Sequence, residues 1–175
     1  ILFAILAGFG FGYAVFWMYN RGIRIGTTTR NDWVKLFLIS IVTHPILDCF
    51  TGYGTQLFSP FSNYRVAFDT IAVADPSYTI PFLVSLIILM FFKRNSNKRV
   101  FFLKIGLVIS SCYLLFTLIN KFYISSVFKS DLKQKNINYN RFKSQPTILN
   151  NILWYGVAES DTAYHVAFYS ILDQK

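Results

Sequence analysis

Charge is what this chain has least of. Only 14% of its 175 residues are charged and only eight are acidic, against roughly 25% charged in soluble domains. So few ionised groups cannot solvate a globular surface of this size, which argues against a soluble all-α protein. Cysteine is nearly absent too. Two residues, Cys49 and Cys112, cannot make the disulfide framework of a small secreted domain. Both sit in or beside apolar runs and are expected as buried free thiols, with metal ligation by Cys49 the lesser alternative. Histidine is limited to His44 and His165, so imidazole chemistry has two possible seats. There is no internal repeat and no low-complexity tract. No basic leader or small-residue cleavage site of a signal peptide surrounds the first apolar run. The chain opens at Ile1 inside that run, and residues upstream of it are expected.

What the chain has instead is apolar surface. It is 54% hydrophobic and 19% aromatic, with a mean hydropathy of +0.42, the composition of an integral membrane protein. Net charge is +9, but the basic residues cluster beside apolar runs, where Lys and Arg set topology and meet lipid headgroups. Basic stripes interleaved with exposed aromatics, the footprint of a nucleic-acid binder, do not occur. The lipid bilayer is therefore the expected partner, and no protein partner follows from the sequence.

Four apolar runs order the chain. Ile1–Tyr19 is 19 residues without a charge, close to the roughly 20 that a spanning helix needs. Its small residues Ala7, Gly8, Gly10, Gly12 and Ala14 permit close helix approach, and Trp17 and Tyr19 suit the interfacial belt. A polar loop with Arg21, Arg24 and Arg30 against Asp32 leads to a second run, Trp33–Phe50. The third, Thr79–Phe92, is short for a full span. The fourth, Val100–Ile119, is interrupted only by Lys104, which can snorkel. Beyond Lys121 the composition turns polar and basic, continuing the fourth helix out of the membrane. Three strand-like segments follow, Tyr139–Pro146, Ile152–Glu159 and Ala163–Leu172, rich in β-branched and aromatic residues, with a turn at Ser160-Asp161.

The expected fold is mainly α: a polytopic membrane protein with about four membrane helices, plus a small C-terminal α+β segment of antiparallel strands outside the bilayer. Residues 1–128 form the membrane domain and 129–175 the strand-rich tail. By the positive-inside rule the first loop and the basic Lys93–Arg99 loop face the cytoplasm. The loop between the second and third runs then faces the other side, with the tail.

The stretch Thr43–Phe82, between the second and third runs, departs from everything around it. It holds one of the two histidines, three of the eight acidic residues and four of the five prolines. Ionisable groups in a spanning segment are costly and point to function. His44 and Asp48 are four apart, so on a helix they share a face one turn apart. Thr51 follows on that face if the helix persists. An imidazole nitrogen and a carboxylate oxygen in that relation suit a divalent metal with open positions. A structural hydrogen-bonded pair, or a carboxylate orienting the imidazole as a base, are the alternatives. Pro45 frees the Ile41 carbonyl and is expected to kink the helix. Asp75-Pro76 either caps the third helix or joins the site. Asp69 is expected to pair with Arg65 at i, i+4, with metal ligation the lesser alternative. Gly52, Gly54 and Pro60 shape the loop. His165, with no acidic partner in register, reads as surface or packing.

The string H-x-x-x-D-x-x-T-x-x-G, the Pro six residues later and D-P-x-Y-T resemble the YdjM-type family, bacterial inner-membrane proteins predicted to be metal-dependent hydrolases. The segment Pro146–Asp173 is similar to the C-terminal region of one branch. The resemblance implies a multi-pass inner-membrane protein whose His44 and Asp48 are ligands of a divalent metal, zinc or similar. Asp75 would be a further ligand or catalytic base, and Thr51, Gly54 and Pro60 loop positions. Asn150, Asn151, Trp154 and Glu159 match recurring tail positions without an assigned role. A further family signature, His-Arg-x-x-Thr-His-Ser, precedes a helix resembling Ile1–Tyr19 and is not in these residues. The implied activity is hydrolysis of an ester or phosphoester, lipid-linked substrates included, by a metal-activated water, with the substrate itself unknown. The alternative is a non-catalytic transporter or assembly factor whose His/Asp pair is structural.

Overall fold

The computed structural model describes residues 1–173. Four helices, α1 (Leu2–Tyr19), α2 (Arg30–Asp48), α3 (Pro76–Met90) and α4 (Asn97–Gln134), precede three strands, β1 (Arg141–Pro146), β2 (Leu153–Glu159) and β3 (Tyr164–Ser170). The chain divides into two compact units, Ile1–Phe68 and Asp69–Lys175.

In the first unit α1 packs along α2 through glycine. A Cβ at Gly8 would stand 2.8 Å from the Leu38 side chain, and one at Gly12 only 2.6 Å from the Val34 Cα. Spaced four apart, these two glycines form one bare strip that lets the helix backbones meet. Gly10, on the other side, meets nothing within 4 Å. The α2 start is fixed by a capping box: the Thr29 hydroxyl accepts from the Asp32 amide at 3.3 Å, and the Asp32 carboxylate accepts from the Thr29 amide at 2.9 Å. Asp32 thus serves its own helix end. The arginines of the preceding loop lie over aromatic rings instead, Arg21 on Trp17 at 3.9 Å and Arg24 on Tyr19 at 4.9 Å.

In the second unit α3 lies against α4, with Gly106 so close to Ser85 that a Cβ there would stand 2.7 Å from the Ser85 Cβ. The strands form an antiparallel sheet in the order β1-β2-β3, in register Pro146↔Trp154↔Tyr169 at one end and Arg141↔Glu159↔Tyr164 at the other. One face of the sheet covers the last turns of α4, where Ile124, Phe128 and Trp154 form a buried core flanked by Phe142, Tyr169 and Ile171. Gly156 allows the Phe128 ring to lie against the β2 backbone, 3.0 Å from where a Cβ would be.

The helical majority and the three strands match the sequence expectation; the count of membrane helices does not. Among the described residues two helices, α1 and α4, are long and apolar enough to cross a bilayer. The α3 helix has 15 residues, about 22 Å at 1.5 Å per residue, against roughly 30 Å of hydrocarbon. Charges at Arg30, Asp32, Lys35 and Asp48 dilute α2. Burial in α4 is inverted relative to a soluble helix. Within its apolar run the buried residues are Gly106, Ser110 and Thr117, while Val108, Leu115 and Ile119 are exposed. Small and polar groups turned inward, with large apolar groups facing out, is the arrangement that lipid selects.

Candidate functional site

The stretch 43–82 is shared between the two units. His44 and Asp48 lie in the first, on the last turn of α2, and their side chains do meet. His44 Nδ1 stands 3.7 Å from Asp48 Oδ1. The pair is accessible, with His44 77% and Asp48 46% exposed. Two donors bound at about 2.0–2.2 Å to one tetrahedral ion stand about 3.4 Å apart, so a small side-chain adjustment would let one cation bridge the pair. Among the described residues no group of three or more His, Cys, Asp or Glu side chains converges to hold a metal. The pair therefore fits two corners of a coordination sphere.

Thr51 does not join that face. The helix ends at Asp48, and the Thr51 hydroxyl donates to the Asp48 carbonyl at 2.7 Å, closing the helix end. The adjoining loop is tied back by Phe68, whose amide donates to the Cys49 carbonyl at 2.7 Å, and by the Thr55–Val66 bridge. Gly54 has φ +61, and a Cβ there would stand 2.4 Å from the Val66 carbonyl oxygen, so this crossing requires glycine. Ser59-Pro60 is a cis peptide. Cys49 is buried with its thiol toward the Pro45 carbonyl at 3.2 Å. Cys112, expected buried, is exposed on α4, among the outward-facing apolar residues.

Asp75 lies in the second unit and caps α3. Its Oδ1 accepts from the Ser77 amide at 2.9 Å and its Oδ2 from the Tyr113 hydroxyl at 2.8 Å, with Pro76 at the first helical position, where its missing N–H is no loss. The carboxylate is 2% exposed. Asp69 does not pair with Arg65, whose guanidinium donates to the Tyr53 carbonyl at 3.3 Å. Asp69 turns the chain at φ 55, so the i, i+4 relation of a helix never forms. Its carboxylate lies instead 3.0 Å from Lys143 and 3.8 Å from Lys121. Lys121 in turn donates to the Ser144 carbonyl.

A family model for YdjM inner membrane proteins matches residues 1–124, well over half of the chain. The chain belongs to the YdjM inner membrane protein family. The match takes in His44, Asp48 and Asp75 and ends inside α4, ahead of the sheet. No curated protein and no solved structure matches the chain. Membership points to the inner membrane, in keeping with the two apolar helices.

The tail positions that recur in the family resemblance have structural work. Asn151 donates to the Thr70 carbonyl at 2.8 Å and accepts from the Asn120 amide at 2.9 Å, all buried. Asn150 holds the β1–β2 turn, its side-chain oxygen accepting from the Ile152 and Leu153 amides at 2.9 and 2.8 Å. Trp154 fills the core, with its indole N–H on the Asn151 carbonyl at 3.0 Å. Glu159 pairs with the Arg141 fork at 2.6 and 3.0 Å. These bonds hold the carboxyl of Glu159 below the usual carboxylate range. His165 is half-buried, 3.3 Å from the Ser160 hydroxyl.

Proposed function

We propose that this protein is a membrane-embedded metal-dependent hydrolase acting on an ester or phosphoester at the membrane surface, including lipid-linked ones. The observation that carries the reading is the accessible His44–Asp48 pair, 3.7 Å apart at the end of α2, beside a tied-back, turn-rich loop. His44 offers an imidazole nitrogen and Asp48 a carboxylate oxygen, a donor set that suits zinc or a similar ion. When bound, such an ion supplies Lewis acidity and a nucleophile at neutral pH. Asp75 would act as a base or further ligand only by exchanging its Tyr113 and Ser77 bonds for a substrate or water proton. In this reading α2 and α3 complete a multi-pass arrangement with α1 and α4 by tilting and local bilayer thinning. The basic loops at Arg21–Arg30 and Lys93–Arg99 would face the cytoplasm and the site loop the opposite side.

Metal analysis of the purified full-length protein tests the reading. Near-stoichiometric zinc or a similar ion, lost in His44→Ala/Asp48→Ala, supports it. A protein without bound metal, or with metal content unchanged in the double variant, ends it. A second reading takes the same 3.7 Å His44–Asp48 contact as structural, in a non-catalytic membrane protein, a transporter or assembly factor. That reading gains if the double variant loses stability while metal content and hydrolysis do not change.

A further inference from the structure

Two features of the second unit locate the bilayer surface along α4. The 38 residues of α4 reach about 57 Å at 1.5 Å each, far beyond the roughly 30 Å of hydrocarbon. No charge lies between Lys104 and Lys121. The burial pattern changes at the same place: up to Asn120 the buried residues are small or polar, whereas from Ile124 they are Ile124, Phe128 and Leu132. The inverted arrangement of a lipid-facing helix thus gives way to the ordinary one of a watery domain near Lys121.

The sheet lies alongside α4 in a fixed register. Asn120 meets Asn151, Ile124 meets Trp154, and Phe128 meets Gly156. The β1–β2 turn, residues 147–152, therefore stands at the level of Asn120, where the lipid-facing pattern stops. That end of the sheet carries its two most exposed aliphatic groups, Ile148 and Leu172. Ile148 is 82% exposed, and Leu149, Ile152 and Leu172 project beside it. The opposite end is polar, with the Arg141–Glu159 pair, Asn140 on Asp161 and Lys135 on Asp131. A turn closed by Asn150 has no internal need for bare Ile148 and Leu149 at its tip.

We infer that the β1–β2 turn dips into the lipid interface, so that the extramembrane sheet stands on the bilayer through Ile148 and Leu149 rather than swinging free on α4. The occupant is lipid, because the turn lies level with the end of the apolar run of the helix it packs against. Apolar side chains at that depth match the interfacial mode of membrane contact. The inference rests on α4 crossing the membrane.

The test uses the full chain in phosphatidylcholine and phosphatidylglycerol vesicles, with an environment-sensitive nitrobenzoxadiazole probe on single cysteines in a Cys49→Ala/Cys112→Ala background. Probes are placed at Val108→Cys in the apolar run, Ile148→Cys at the turn and Tyr164→Cys at the far end. Lipids with a deep nitroxide should quench the Val108 probe. Lipids with a shallow nitroxide should quench the Ile148 probe roughly twofold more than the Tyr164 probe. Quenching at Val108 with Ile148 no more quenched than Tyr164 leaves the spanning helix standing and overturns the inference. No quenching at Val108 removes the span and the inference with it. A shielded Ile148 probe that no lipid quenches means a protein covers the turn, which also overturns it. Photocrosslinking from p-benzoylphenylalanine at position 148 keeps both native cysteines. A lipid adduct supports lipid contact; its absence overturns it.

Discussion

Substitution of Gly12 by alanine tests the packing of the first unit most directly. A Cβ at this position would lie 2.6 Å from the Val34 Cα and 2.9 Å from the Val34 amide nitrogen. These are backbone atoms, so no rotamer change relieves the clash and the two helices must move apart. Overpacking of this kind costs about 1–3 kcal/mol. Alanine also favours helix over glycine by about 1 kcal/mol, which would blur the result for one variant alone. Gly10 supplies the reference, because it lies in the same helix and a Cβ there meets nothing within 4 Å. Gly10→Ala carries the propensity gain without the clash. The difference between Gly12→Ala and Gly10→Ala should therefore be the packing cost alone, about 1–3 kcal/mol. Unfolding in detergent micelles titrated with dodecyl sulfate, followed by far-ultraviolet circular dichroism, measures it. Equal stability of the two variants would refute glycine-mediated packing of α1 on α2.

The second unit yields two further expectations. Asn151→Ala removes the buried bonds to Thr70 and Asn120 and should lower stability by about 1–3 kcal/mol, measured by thermal unfolding. Asn150→Ala, confined to an exposed turn, should cost less, and a reversed order would contradict the assignment. At Glu159 the folded carboxyl titrates below its unfolded value because of Arg141. Its contribution is complete above the unfolded carboxylate range and fades as pH falls through the lower folded value. Glu159→Gln should flatten the acid limb of sheet stability there, read by near-ultraviolet dichroism at constant ionic strength; an unchanged limb would show that the pair contributes nothing.

Much of the fold was legible because lipid simplifies the pattern. Apolar runs of near-spanning length with at most one charge mark α1 and α4, and richness in β-branched and aromatic residues marks the sheet to within two residues. The small residues of α1 were visible as a group, but which of them touch α2 was not. Gly8 and Gly12 share a face while Gly10 does not, and only the position of the partner helix selects between faces. Four apolar runs read as spans where, among the described residues, two helices are long and apolar enough to cross a bilayer, because an apolar run in sequence does not show how much of it one uninterrupted helix takes up. The capping box at Thr29 and Asp32 was readable in principle, since T-x-x-D precedes an apolar run. It was obscured by three nearby arginines, which offered Asp32 a simpler charge pairing.

The acidic residues show where sequence reasoning about the site reaches its limit. Spacing alone predicts a contact when both residues lie on one continuous helix, as His44 and Asp48 do. It fails once the backbone turns between them, as at Asp69, whose positive φ directs it to Lys121 and Lys143 rather than to Arg65. Asp75 shows the same limit differently: its helix-capping bond is local and follows from D-P, but its second partner, Tyr113, lies 38 residues away. A carboxylate that costs energy to bury needs both oxygens satisfied, and Asp75 has both. Asp48 is half-exposed beside a single imidazole. Of the three carboxylates in this stretch, Asp48 is thus the one that stays accessible, because no buried partner claims its oxygens.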